Sequence, residues 1–171
     1  MIGHRSLLFS RRLLDGLWSK CPAGDTLLRP WYRMLGLTRQ SQPSWYRDRY
    51  LEELQERREA KTPLDKLSET SDVFFVIIRS RYDEAPVRHQ PPFAVSHLLI
   101  YAYMMAKLTS RWAFYRTAAI LCKAARYDLM CEVVNPGKDY KLDEVAFRHH
   151  IDPVKFKKVC YMLRRVWPLL P

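Results

Sequence analysis

From Phe93 to Met130 the chain contains neither glycine nor proline, and the stretch is fenced by Pro91-Pro92 on one side and Asn135-Pro136-Gly137 on the other. Most of the apolar mass lies inside it: Leu98 to Ala106, Trp112 to Tyr115, Ala118 to Cys122, then Leu129 and Met130. Alanine, leucine and methionine lose little on entering a helix, so an uninterrupted run rich in them favours helix over strand. The reading is one long helix or two in series, with Thr109-Ser110 as the point where a break would fall. Everything else in the sequence then has to supply cover for this element. The expected fold is all-α, a single-domain helical bundle around a long apolar central helix.

One competing fold turns on Val73 to Ile78. These six residues have strong β propensity and would suit a buried strand, giving an α+β alternative with a strand at 73–78. Against it, Leu64, Leu67, Ser71, Phe74, Phe75, Ile78 and Tyr82 recur mostly at steps of three and four. Thr62-Pro63-Leu64-Asp65 also has the form of a helix start, with a capping hydroxyl, proline at the first helical position and an acid in the first turn. The longer periodicity outweighs the shorter run, and helix is expected up to Pro86.

Elsewhere the chain is read from its breakers. Residues 21–43 turn repeatedly, at Pro22-Ala23-Gly24-Asp25, Arg29-Pro30, Gly36 and Gln42-Pro43, around a short helical piece at 31–35. Ser44 can cap a helix reaching about Lys61, with Tyr46, Tyr50, Leu51 and Leu54 as its narrow apolar stripe and Glu53 to Arg57 as a supporting pair. The C-terminal part reads as two helices, Leu142 to His149 and Pro153 to Trp167.

Charge narrows the partners. With 29 Lys+Arg against 18 Asp+Glu the chain carries +11. The excess is uneven: eight basic and two acidic groups in residues 1–47, seven and ten in 48–86, fourteen and six in 87–171. A basic chain with an acidic middle suits an internal charge match or a polyanion. Three partner classes are compatible, in the order protein, nucleic acid, anionic membrane surface. Between Arg88 and Lys107 no charged residue occurs, yet Phe93 to Ala106 spans only about 21 Å as helix, short of the ~30 Å hydrocarbon layer. A buried core helix is the stronger reading of that stretch.

Residues 1–20 place Ile2, Phe9, Leu13 and Leu17 on one side of a helical wheel and Arg5, Arg11 and Arg12 on the other, with no acid before Asp15. That is the composition of a mitochondrial presequence, so mitochondrial localisation is expected. The four cysteines, Cys21, Cys122, Cys131 and Cys160, form no CxxC pair, and free thiols in an intracellular setting are expected.

In the C-terminal stretch Val145 and Ala146 are followed by Ile151, Phe156 and Val159. That is the spacing of apolar anchors in a helix-turn-helix, where a small residue lets two helices cross closely. His150 stands where glycine is usual. Under this reading Lys155, Lys157, Lys158, Arg164 and Arg165 are the candidate polyanion-binding residues, and Arg111, Arg116, Lys123 and Arg126 form a second basic set. No zinc-ligand spacing, phosphate loop or nucleophile elbow accompanies His97 or the His149-His150 pair. The expectation is therefore no enzyme, with no catalytic, cofactor-binding or metal residues and no cofactor.

Pro43-Ser44-Trp45-Tyr46-Arg47, the segment Leu67-Ser68-Glu69-Thr70-Ser71-Asp72-Val73-Phe74-Phe75 and Arg81-Tyr82-Asp83 together resemble a group of small uncharacterised proteins from filamentous fungi. The likeness extends to Trp112-Ala113-Phe114-Tyr115-Arg116-Thr117-Ala118-Ala119, about half of the chain in all. It implies no activity. It implies that the domain starts near Pro43 and that residues 1–42 are an appended, more variable leader, and the residue pattern makes these a helical domain at 43–171 and a basic amphipathic leader and loop region at 1–42. The expected function is that of a non-catalytic interaction or assembly protein. The alternatives are a nucleic-acid-binding protein using the C-terminal hairpin and a peripheral membrane-associated protein.

Overall fold

The computed structural model of the chain describes residues 23–40, 42–91 and 93–167, and the presequence-like stretch 1–20 lies outside them. The architecture is all-α, with no strand among the described residues. In chain order the elements are α1 (Ala23–Leu35), α2 (Pro43–Glu59), α3 (Pro63–Tyr82), α4 (Val95–Leu121), a 3-10 turn (Tyr127–Leu129), α5 (Asp139–Arg148) and α6 (Pro153–Val166).

The run with strand propensity is helical. Val73 to Ile78 lie within α3, and all six are buried. A helix covered on every side can carry consecutive apolar residues, so the β-branched run reports burial here, not strand. The start of α3 is as its sequence indicates. The Thr62 hydroxyl accepts from the Asp65 amide and the Asp65 carboxylate accepts from the Thr62 amide, a reciprocal capping box with proline behind it.

Several boundaries differ from the sequence reading. The central helix runs unbroken through Thr109-Ser110 but stops at Leu121, so residues 122–130 are turn and 3-10 structure rather than its continuation. In α1 the helix begins at Ala23 and passes through Pro30, where the sequence suggests a boundary. Leu28, Trp31, Tyr32 and Leu35, at steps of three and four, are all buried, and that burial outweighs the one hydrogen bond a proline removes. Helix α2 is capped by Gln42, with Pro43 in its first turn and no side-chain bond at the cap, rather than by Ser44. Its buried residues are Tyr46 and Glu53, while Leu51 is exposed. Glu53 pairs backwards with Arg49, and Arg57 donates instead to the Thr70 hydroxyl at 2.9 Å.

The described residues fold as two compact units, one comprising 23–32 with Arg39–Met104, the other Arg33–Thr38 with 105–167. In the first, three helices converge on one carboxylate. Asp83, just past α3, accepts from Tyr32 of α1 at 2.7 Å and from Tyr46 of α2 at 2.6 Å. Arg79 lies 3.7 Å from the same carboxylate and its guanidinium stacks over Trp45. A second cluster in this unit joins Phe74 of α3 edge-on to His97 and Tyr101 of α4.

The second unit has a mainly apolar core of Phe114, Tyr115, Ala118, Leu142, Val145, Ala146, Ile151, Phe156, Cys160 and Leu163, among others. Trp167 seals its end, donating from the indole to Ser110 at 2.9 Å and meeting Phe114 edge-on. Lys107 and Arg111, the two cations that would obstruct a membrane span, are buried. No described helix is long and apolar enough to cross a membrane.

Three helices end the same way. After α3, α4 and α5 the chain places Glu84, Lys123 and His150 at φ 62, 57 and 53. In each case the next amide bonds back five residues: Ala85 to Ser80, Ala124 to Ala119 and Ile151 to Ala146. These are Schellman caps, ordinarily built on glycine.

Candidate binding surface on the C-terminal hairpin

Helices α5 and α6 and the joint between them have the arrangement that the anchor spacing implies. Ala146 is fully buried, as a small residue at a close helix crossing must be, and Val145, Ile151 and Phe156 are buried with it. Val159 is half-buried against the same core. His150 adopts the left-handed conformation that glycine supplies in helix-turn-helix joints, so the residue that departs from the sequence pattern meets its backbone requirement. Asp152 then caps α6, accepting from the Lys155 amide at 2.6 Å.

The five candidate cations are not equivalent. Lys155 turns back and donates to the Cys122 carbonyl at 2.8 Å, tying α6 to the end of α4. Lys157 pairs with Asp143 of α5 at 2.7 Å, and that bond raises its pKa. Arg164 is held by Asp139 at 3.0 Å and by the Pro136 carbonyl, and it lies over the Tyr161 ring. Lys158 and Arg165 are exposed and have no hydrogen-bond or ion-pair partner among the described residues. Sequence spacing could not separate these roles, because Asp143, Asp139 and the Cys122 carbonyl come from other elements.

Between Asp143 and the outer face of α6 runs a groove of about 820 Å³. Pro153, Val154, Val159, Tyr161 and Met162 line it together with the cations Lys157, Lys158 and Arg165. Val154 is 77% exposed and Met162 54%. Together with Lys158, Tyr161 and Arg165 they recur at the steps of one helix face, a face the hairpin itself leaves uncovered. This apolar stripe is what the sequence reading missed. The residues were read for their charges, and the valine and methionine between them carried the signal.

The second basic set is dispersed. Arg111 is buried, Arg116 stacks on Trp112 and donates to the Asp128 carbonyl at 2.5 Å, Arg126 lies 3.6 Å from Asp128, and Lys123 occupies the left-handed turn.

Other polar groups are engaged structurally. His149 meets the buried Glu132 at 3.1 Å, with Arg148 2.5 Å from the same oxygen. Burial alone would push the Glu132 carboxyl up, but the bonds and charges of His149 and Arg148 hold it below the usual range. Burial pushes the Cys160 thiol up to about 12 and raises Cys122 and Cys131, which disfavours the thiolate that nucleophilic or metal-ligating roles require. In the first unit Glu53, Glu69 and Asp72 bring carboxylate oxygens within 4.8 Å of one another. Arg49 pairs with Glu53, and Glu69 and Asp72 each engage another polar or charged group, so the trio forms part of a charge network.

No protein-family model, curated protein or solved structure matches the chain.

Proposed function

We propose that this is a non-catalytic interaction protein that docks a protein partner on its C-terminal hairpin. One observation carries the reading: an apolar groove lies along the outer face of α6, while three of the five candidate cations are already bonded within the chain. Apolar grooves lined by one helix face are a recurrent mode of helix recognition. Three of the described histidines have structural engagements that support a non-catalytic role: His97 packs on Phe74, His149 serves Glu132 and His150 forms a turn.

Nucleic-acid binding is the second reading, favoured by the left-handed joint at His150 and the close crossing at Ala146. The test is site-specific photo-crosslinking in cells. A benzoylphenylalanine replacing Met162 in the full chain should give a discrete protein adduct, and one replacing the exposed Gln55 of α2 should not. Adducts to nucleic acid or to lipid at position 162 would transfer the function to those partners, and absence of any adduct there would reject the docking role.

For localisation we propose mitochondrial import directed by residues 1–20. Glutamate at Arg5, Arg11 and Arg12 should leave a reporter fusion in the cytosol. Import that survives those changes would remove the proposal.

A further inference from the structure

The chemistry of the groove also specifies what kind of partner fits it. We propose that α6 receives an acidic amphipathic helix, whose apolar stripe lies on Val154, Tyr161 and Met162 and whose two carboxylates, one seven residues after the other, meet Lys158 and Arg165. This rests on the reading of the hairpin as a protein-docking element.

The charge argument comes from which ions remain unmatched. Asp143 on the groove wall is neutralised by Lys157, and Asp139 nearby is shared by Arg164 and Tyr161. Both acids are therefore satisfied internally, and of the three cations lining the groove Lys157 is paired while Lys158 and Arg165 have no partner among the described residues. The surroundings have the same sign: residues 105–171 hold thirteen Lys+Arg and six Asp+Glu, a net of 13 − 6 = +7. Seven residues of helix separate the two cations by about 10 Å along the axis, two turns, so carboxylates at the same interval on an accompanying helix come into register with both.

The same facts disfavour the other occupants. A second copy using the same face would set Lys158 and Arg165 against their own counterparts, a like-charge contact at the centre of a two-fold interface. The chain's own residues 1–20 carry four basic groups and one acid and would meet the same repulsion. Nucleic acid would be read by hydrogen-bonding groups and phosphate-binding cations, and the lining between the cations here is mainly valine, proline and methionine, with Tyr161 already bonded to Asp139. A flat anionic bilayer does not fill a groove, and partner helices do.

The experiment uses the full-length protein and fluorescence anisotropy. The probe is a synthetic amphipathic helix of about twenty residues, long enough to populate helix, with leucines on one face and glutamates flanking them at the seven-residue interval. Its controls are the same peptide with lysine for glutamate and a scramble of the glutamate peptide. The glutamate peptide should bind at least about tenfold more tightly than either control. Lys158→Glu with Arg165→Glu should invert the preference, so that the lysine peptide becomes the tighter ligand, with the circular dichroism spectrum unchanged. Met162→Asp should lose both peptides.

Equal binding of glutamate and lysine peptides overturns the proposal, as does a preference that survives the double charge reversal. So does tighter binding of a DNA duplex, or of vesicles containing phosphatidylglycerol, that displaces the peptide. A protein adduct at position 162 that is indifferent to the charge reversal sinks the acidic helix alone and leaves protein docking in place. No adduct sinks both.

Discussion

Each compact unit buries a glutamate, Glu53 at 2% exposure in the first and Glu132 at 7% in the second, and the two carboxyls move in opposite directions. Burial pushes the Glu53 carboxyl up to about 8 against the pull of Arg49, because Asp72, Glu56 and Glu69 add repulsion. Glu132 suffers the same desolvation but has two donors, His149 and Arg148, on one oxygen, and its carboxyl is held low. Burial is common to both, so it cannot set the sign. The neighbours do, and a surrounding of carboxylates makes a buried acid a proton carrier where a surrounding of donors makes it a fixed anion.

The most severe way to break this comparison is to loosen what positions the Glu132 donors. Both sit at the C-terminal end of α5, whose inner face packs in the core that contains Phe156. Phe156→Ala should cost about 3 to 5 kcal/mol in denaturant unfolding. A loss under about 1 kcal/mol would mean that the core is not what holds the arm.

Glu53→Gln sharpens it next. Folded Glu53 keeps its proton up to about 8, whereas the unfolded chain releases it near 4.3. Its contribution is therefore fully present below about 4.3 and is lost as pH rises through about 8. The variant should be the more stable protein at pH 8, by on the order of 2 kcal/mol, and its stability should fall less between pH 5 and 8. Parallel pH profiles for the two proteins would contradict the assignment.

Glu132→Gln should act with the opposite sign and less strongly. Its depressed carboxyl contributes stability above the unfolded value of about 4.3, lost as pH falls through the lower folded value. Arg148 is 57% exposed, so screening limits the loss at neutral pH to about 1 kcal/mol. Wild type and variant should converge in acid, and a gap that persists at pH 2 would show a packing effect instead.

The smallest effect separates neighbours on one helix. Lys155→Ala removes the bond to the Cys122 carbonyl and should cost up to about 1 kcal/mol. Lys158→Ala should stay within about 0.5 kcal/mol in the same melt. Equal values would erase the distinction between a structural lysine and a free one.

Local chemistry was the legible part of this fold. The Thr62-Asp65 box, the three and four residue steps through Val73 to Ile78 and the Val145-Ala146-Ile151-Phe156 anchors each announce themselves within a few positions, and the structure has them all. What sequence could not show depends on partners far along the chain. Glu53 lies on a helix polar nearly all round, and nothing local distinguishes it from the exposed Glu52. The end of the central helix at Leu121 was hidden because the cap falls on Lys123, a residue with no bias toward left-handed backbone. Lysines on α6 differ only through acceptors on α4 and α5.

Those left-handed caps bear on how the chain can tolerate substitution. Glu84, Lys123 and His150 each hold a conformation that costs an L-residue about 1 kcal/mol more than it costs glycine, partly offset by the extra freedom of glycine when unfolded. Three single positions, spread over both units, thus hold stability that a glycine would release. A lineage acquiring glycine at any of them would gain tolerance for a destabilising change elsewhere, in the groove on α6 among other places, and so could vary its binding face without first losing its fold.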